Sequence, residues 1–245
     1  MIHQPEPTMN RSRIVQSRKR GTACACISLL FTACGGGGPD AGIPATTQYA
    51  VQSAWRNLLN ANASWTVTGT ASDGKAYQIV FTAAPKPAAA FAPTGASGSV
   101  SEQFDRLTQN GTVLTSGTSH LYFNAATLAQ LGSDNGDGTC NVSQSNTALP
   151  TVATVGATGA FESENQLASC SAGAAVTGST VYTWSLEAEK GMALFCLDAT
   201  EYDAAKVMVA SGAQCFEMAT DGTLGTHARV SLTVRGAFTL VARNY

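Results

Sequence analysis

The sequence predicts a mainly β protein, an antiparallel β-sandwich or barrel-like meander with one short N-terminal helix. Beyond Asn60, short segments alternate apolar and polar residues with the period of two that a half-buried strand requires. Glycine, asparagine and aspartate separate these segments, most tellingly at Asn110-Gly111, a strong hairpin signal. About eleven short strands divided in this way suit a sandwich or barrel. Composition agrees: 12% of the 245 residues are charged, about half the roughly 25% usual in soluble domains, and the formal net charge is −2. These figures exclude a highly charged disordered chain and a strongly basic nucleic-acid binder.

The chain opens with an address. Residues 11–20 carry Arg11, Arg13, Arg18, Lys19 and Arg20, and residues 21–33 form a run of apolar and small residues ending at Cys34. A basic region followed by a short apolar one is signal-peptide anatomy, so residues 1–33 are expected to be removed, with Met9 the more natural start. As a helix, the apolar run would rise about 20 Å, short of the roughly 30 Å core of a bilayer. Phe31-Thr32-Ala33-Cys34, followed by Gly35-Gly36-Gly37-Gly38, resembles the lipobox and glycine tether of Gram-negative bacterial lipoproteins. The resemblance implies cleavage after Ala33, acylation of Cys34 and, because Gly35 rather than aspartate follows, onward transport to the outer membrane. Acyl chains contribute about 0.8 kcal/mol per buried CH₂, so two or three give a stable anchor. Residues 34–46 are then a lipidated flexible tether, and the membrane is a partner through the lipid alone.

Residues 47–245 form the expected β-rich domain. Val51, Trp55, Leu58 and Leu59 recur at i, i+4, i+7 and i+8, one face of a short helix over 47–60 that would cap a sheet. Trp65 and Val67 alternate with threonines, Ser72-Asp73-Gly74-Lys75 supplies a turn, and Tyr77, Ile79 and Phe81 alternate on the return. Residues 83–98, with three prolines, read as a loop. Residues 100–109 and 112–123 pair about Asn110-Gly111, and residues 125–131 suggest one or two helical turns closed by Gly132. Further strands are expected near 139–143, 151–155, 161–168, 179–188, 192–198, 214–219, 228–234 and 238–243. Turns fall at Glu189-Lys190-Gly191 and Thr220-Asp221-Gly222.

Residues 94–100 and 117–123 match residues 155–161 and 178–184 at one offset of 61 residues, which suggests two similar β units, about 47–138 and 139–245. Of the seven cysteines, Cys24 and Cys26 leave with the signal and Cys34 takes the lipid. Cys140, Cys170, Cys196 and Cys215 remain, an even number in an oxidising compartment, which reads as two disulfides. Three pairings are open; Cys140 with Cys170 and Cys196 with Cys215 is favoured because each pair brackets one compact segment. A four-cysteine metal site is disfavoured, since no CxxC spacing occurs and neither His120 nor His227 lies near a cysteine.

Beyond Cys34, nine Lys and Arg stand against fifteen Asp and Glu, a dispersed balance of −6 that argues against nucleic acid. His120 and His227 stand in strands without a GxSxG elbow, an HExxH helix or a catalytic-cysteine context. No dinucleotide or P-loop fingerprint occurs. Ser133-Asp134-Asn135-Gly136-Asp137-Gly138 resembles a calcium loop, but Gln144 falls where the bidentate glutamate belongs, so a polar turn is favoured. Glu187, Glu189, Glu201 and Asp203 offer the carboxylates of a glycosidase and are expected mostly to face solvent. Trp55, Trp65, Trp184, Tyr77, Tyr122 and Tyr182 could line a groove for sugar or lipid, although aromatics on alternating strands more commonly fill a core. The sequence therefore leads to the expectation of a lipid-anchored envelope protein with a non-catalytic binding or structural role. It is expected to need no catalytic residue, cofactor or metal, and its protein or glycan ligand is unidentified. The alternatives are an envelope hydrolase acting on a polymer or glycan, and a lipid or lipoprotein carrier with an apolar cavity in a half-open barrel.

Overall fold

The computed structural model describes residues 42–245. The signal segment, Cys24, Cys26, the lipidation candidate Cys34 and the first part of the tether lie outside the described residues. In chain order the elements are β1 (Gln48–Tyr49), α1 (Val51–Leu59), β2 (Ala63–Thr70), β3 (Ala76–Ala90), β4 (Ser97–Gln109), β5 (Thr112–Phe123), β6 (Gln130–Asp134) and β7 (Cys140–Asn146). They continue as β8 (Ala153–Thr154), β9 (Thr158–Leu167), β10 (Val176–Glu189), β11 (Met192–Asp203), β12 (Met208–Met218), β13 (Leu224–Val234) and β14 (Phe238–Arg243).

Twelve strands close into one antiparallel barrel in which each strand pairs with the next, β9 following β7. The ring is sealed by β10 on β9 and by β14 on β2, where Arg243 stands opposite Thr68. The two-residue strands β1 and β8 pair with each other outside it. Trp65 and Val67 of β2 are buried while Ser64, Thr66 and Thr68 around them are exposed, so the alternation read from the sequence is the inside and outside of this wall. The hairpin at Asn110-Gly111 forms as its sequence requires, both residues having the positive φ of a primed turn, 48° and 83°. Strands β4 and β9 begin at the same place in the 61-residue offset, at Ser97 and Thr158.

The helix forms where expected, and all of Val51, Ala54, Trp55, Leu58 and Leu59 are buried. It ends at Asn60, whose side-chain amide donates to the Arg56 carbonyl at 2.8 Å. Trp55 meets Phe161 of β9 edge-on at 5.2 Å and donates its indole N–H to the Leu128 carbonyl at 3.2 Å. The helix thereby stops one end of the barrel, above a cluster in which Trp65, Phe81 and Phe216 lie within 5.5 Å of one another. Toward the other end of β2 and β3, Tyr77 stacks on Phe238 at 5.1 Å and its hydroxyl donates to Asp73.

Two sequence expectations are corrected. Residues 83–98 are not a loop: β3 runs on to Ala90, β4 starts at Ser97, and only residues 91–96 connect them. Pro85 and Pro87 are tolerated because β2 pairs with β3 only as far as Ala83, so the residues beyond have β4 alone as a neighbour and one side of their ladder needs no donor. Residues 125–131 do not form helical turns closed by Gly132. Gly132 lies inside β6 with φ 143°, at the register shift against β5. A Cβ there would overlap the Asn141 carbonyl oxygen and stand 2.7 Å from the Phe91 ring. Gly132→Ala is accordingly expected to cost about 2 kcal/mol in urea unfolding, from strain and overpacking together. An unchanged midpoint would show that this register is wrong.

The structure bonds Cys140 to Cys170 and Cys196 to Cys215. The second pair joins residues directly opposite on β11 and β12, on the outer face. Arg229 covers it, pairing with Glu187 and with Glu189 at 2.7 Å, while Arg243 reaches Glu189 at 2.6 Å.

Candidate functional site

A twelve-stranded barrel has a bore wider than side chains readily fill, and here several inward positions are small. Gly117, Ala199, Ala210 and Gly212 project little or nothing inward, and a cavity of about 230 Å³ remains inside the wall. Its wall has two characters. Trp55 and Leu58 of α1, with Trp65, Phe81, Phe161 and Phe216, make the apolar part beneath the helix. Elsewhere Gln103, Ser119, Asn141, Glu164 and Glu201 border the same space.

The carboxylates are the sharpest feature. Glu164 on β9 and Glu201 on β11 stand opposite Thr180 on the intervening β10, so all three share the inner face. Glu162 is one pleat along β9, opposite Tyr182, whose side chain borders the cavity. Glu162 is 3% exposed. Burial, and then the charge of Glu164, push its carboxyl up to about 10. The Ser143 hydroxyl offsets this in part. Glu201 is raised to about 8 by the same two causes in the same order. On another part of the wall, Gln103 is 6% exposed and its Oε1 has no partner among the described residues.

The expectation that Glu187, Glu189, Glu201 and Asp203 mostly face solvent therefore fails for Glu201, which borders the cavity. Glu187 and Glu189 lie outside against Arg229, and Asp203 accepts from the Ala205 and Val207 amides at 2.9 Å in the β11–β12 turn. Neither histidine borders the cavity: His120 pairs with Glu102 at 3.2 Å, and His227 pairs with Glu217 at 2.8 Å. The calcium-like segment is a polar turn. Asp134 and Asp137 cap the Gly136 and Thr139 amides at 2.9 Å, and Ser133, Asn135 and Asn141 bond to one another. Among the described residues, the clusters with three metal-ligating atoms within 4.8 Å are Asp134–Cys140–Cys170 and Glu187–Cys196–Cys215. Each contains a closed disulfide and offers no thiolate.

Of the six aromatics weighed as a groove, Trp55, Trp65 and Tyr182 border the cavity and Trp184 is buried. Tyr122 packs against Phe91 at 5.0 Å and Tyr77 against Phe238, away from it. Sequence reasoning does not single out Glu162, Glu164 or Gln103. A signal exists in β9, where residues 162–166 read Glu-Ser-Glu-Asn-Gln and leave the strand without the apolar face a packed core needs. No protein-family model matches the chain, and no curated protein or solved structure matches it either.

Proposed function

We propose that this protein is a lipid-anchored envelope protein that holds a small molecule with an apolar body inside its barrel. The observation that carries this reading is the cavity of about 230 Å³, bordered by strands of the barrel and by a helix that lays Trp55 and Leu58 over it. Its size falls between the 150 Å³ or so that admits benzene and the roughly 300 Å³ and above of drug-sized pockets, so the guest has roughly ten non-hydrogen atoms. The lipobox resemblance supports attachment to a membrane through Cys34. The β2 face of the wall supports surroundings of water rather than lipid, because Ser64, Thr66, Thr68 and Thr70 face outward there, where a lipid-facing barrel carries an apolar band. A polymer hydrolase is disfavoured, since Glu164 and Glu201 lie inside the bore rather than along the open cleft that a glycan chain requires. A carrier of acylated protein is disfavoured by volume.

The test uses the purified residue 35–245 chain with butylbenzene, a hydrocarbon of about the right size, and its amine and carboxylate counterparts 4-phenylbutylamine and 4-phenylbutanoate. Methyl resonances of Leu58 and Leu197, which border the cavity, report occupancy. At least one probe is expected to shift both, and Ala199→Phe, which fills the bore, is expected to weaken that probe at least tenfold with the β-sheet circular dichroism retained. If no probe moves either methyl, the reading fails.

A further inference from the structure

We propose that the bore selects an organic cation, an ammonium group carried on an aromatic or aliphatic body, with Glu201 and Glu164 supplying the opposite charge and Gln103, elsewhere on the same wall, a further acceptor. The inference rests on the reading of the barrel as a binding protein and names the chemistry of its guest. The first observation is the sign of the wall. Among the described residues, the charged ones bordering the cavity are Asp105, Glu164 and Glu201, which are acidic, and Arg106, which is basic and exposed. Glu162, buried beside Glu164, keeps its proton and adds no charge of its own.

The second observation is independent of charge. Buried polar atoms in folded proteins are normally hydrogen-bonded, and one left without a partner marks a place where something else supplies it. Here the Gln103 Oε1, on a side chain more than nine-tenths buried in the cavity wall, lacks a donor among the described residues, and it is an acceptor like the carboxylates of Glu164 and Glu201. A guest complementary to them brings donors, and an ammonium brings three with a positive charge. An anion would be repelled by the carboxylates of Glu164 and Glu201, and a neutral apolar guest would leave the Gln103 Oε1 unpaired. A divalent ion fits poorly, because among the described residues the cavity carboxylates do not form one of the clusters whose ligand atoms approach within 4.8 Å of one another.

The apolar part of the wall gives the cation its body. Trp55, Trp65 and Phe81 lie toward the helix, while Glu201 faces Thr180 across β10 and Ala210 across β12. Thr180 is itself held by the Gln166 amide at 3.1 Å. Besides burial, the group that bears on the charge of Glu201 is Glu164 from β9; Tyr182 from β10 and Asp105 with Arg106 from β4 border the same cavity. Glu201 is neutral when protonated and holds an ammonium only when ionised, so binding strengthens as pH rises through its titration near 8. A primary amine keeps its own proton to about pH 10, so guest and wall carry opposite charges over the interval between.

The experiment compares 4-phenylbutylamine, butylbenzene and 4-phenylbutanoate on the same residue 35–245 chain, with the same methyl resonances as readout. At about pH 8.5 the amine is expected to bind at least tenfold more tightly than either counterpart, and its affinity to fall at least fivefold by about pH 6.5. Glu201→Gln is expected to erase at least tenfold of the amine's advantage over butylbenzene. Glu164→Gln, which removes a second carboxyl from the same wall, is expected to act in the same direction if Glu201→Gln does not fold. If butylbenzene or 4-phenylbutanoate binds as tightly as the amine, the cation assignment is overturned while the binding reading stands; if none binds, both fall. Displacement of the amine by calcium at equal concentration also overturns it.

Discussion

Glu162→Gln is expected to stabilise the protein by about 2 kcal/mol near pH 7.5 and to leave it nearly unchanged near pH 4. The native carboxyl, raised to about 10 by burial and by Glu164, holds its proton where an unfolded glutamate near 4.5 has released it. Its contribution is therefore fully present below pH 4.5 and drains away as pH rises toward 10. Each unit of pH in that interval costs about 1.4 kcal/mol, so roughly 3 kcal/mol has gone at neutrality. Glutamine has the same shape and no proton to hold, but it buries an amide whose donors go unmet, which returns part of the gain. Urea midpoints of both proteins at the two pH values measure the effect. A variant no more stable than the parent at the higher pH would show that Glu162 is solvated in solution.

Trp55→Ala is expected to cost about 3–5 kcal/mol, the range for emptying a buried tryptophan site. The indole is 3% exposed, lies edge-on to Phe161 and satisfies the Leu128 carbonyl, so its loss removes packing and a hydrogen bond together. With Leu58 it also forms the helix's share of the cavity wall. The variant should consequently unfold at lower urea and bind a hydrophobic dye in its native state, whereas the parent should not. A midpoint within about 1 kcal/mol of the parent would mean that the helix does not stop the barrel.

The barrel is legible in the sequence wherever alternation is clean. Trp65 and Val67, Tyr77 to Phe81, and Asn110-Gly111 announce strands and turns through local chemistry, and both disulfide pairs join sequential cysteines. Two stretches mislead. The prolines of residues 83–98 signal a loop only if the strand has neighbours on both sides, and that depends on where β2 begins. Gly132 reads as a helix terminator because its packing partners, Asn141 and Phe91, are remote from it in the local pattern. The candidate site is legible only in part. Trp55, Trp65 and Tyr182 are three of six aromatics that could line a groove but read more readily as core, and nothing local separates Glu201 from a solvent-facing carboxylate. Whether a carboxylate in an alternating strand faces water or the bore depends on the phase of the pleat, and in β9 both phases are polar, so periodicity has nothing to distinguish.

The pairing of β14 with β2 sets an order of events for folding. Thr68 must wait for Arg243, from the opposite end of the barrel's strand order, so the ring stays an open curl until β14 has been made. Until then two unpaired rims, one at each side of the curl, are free to recruit other chains, and such distant contacts form slowly. A chain cut after Arg235 should therefore do more than lose a strand: it should be prone to aggregate through rims that the native ring does not possess.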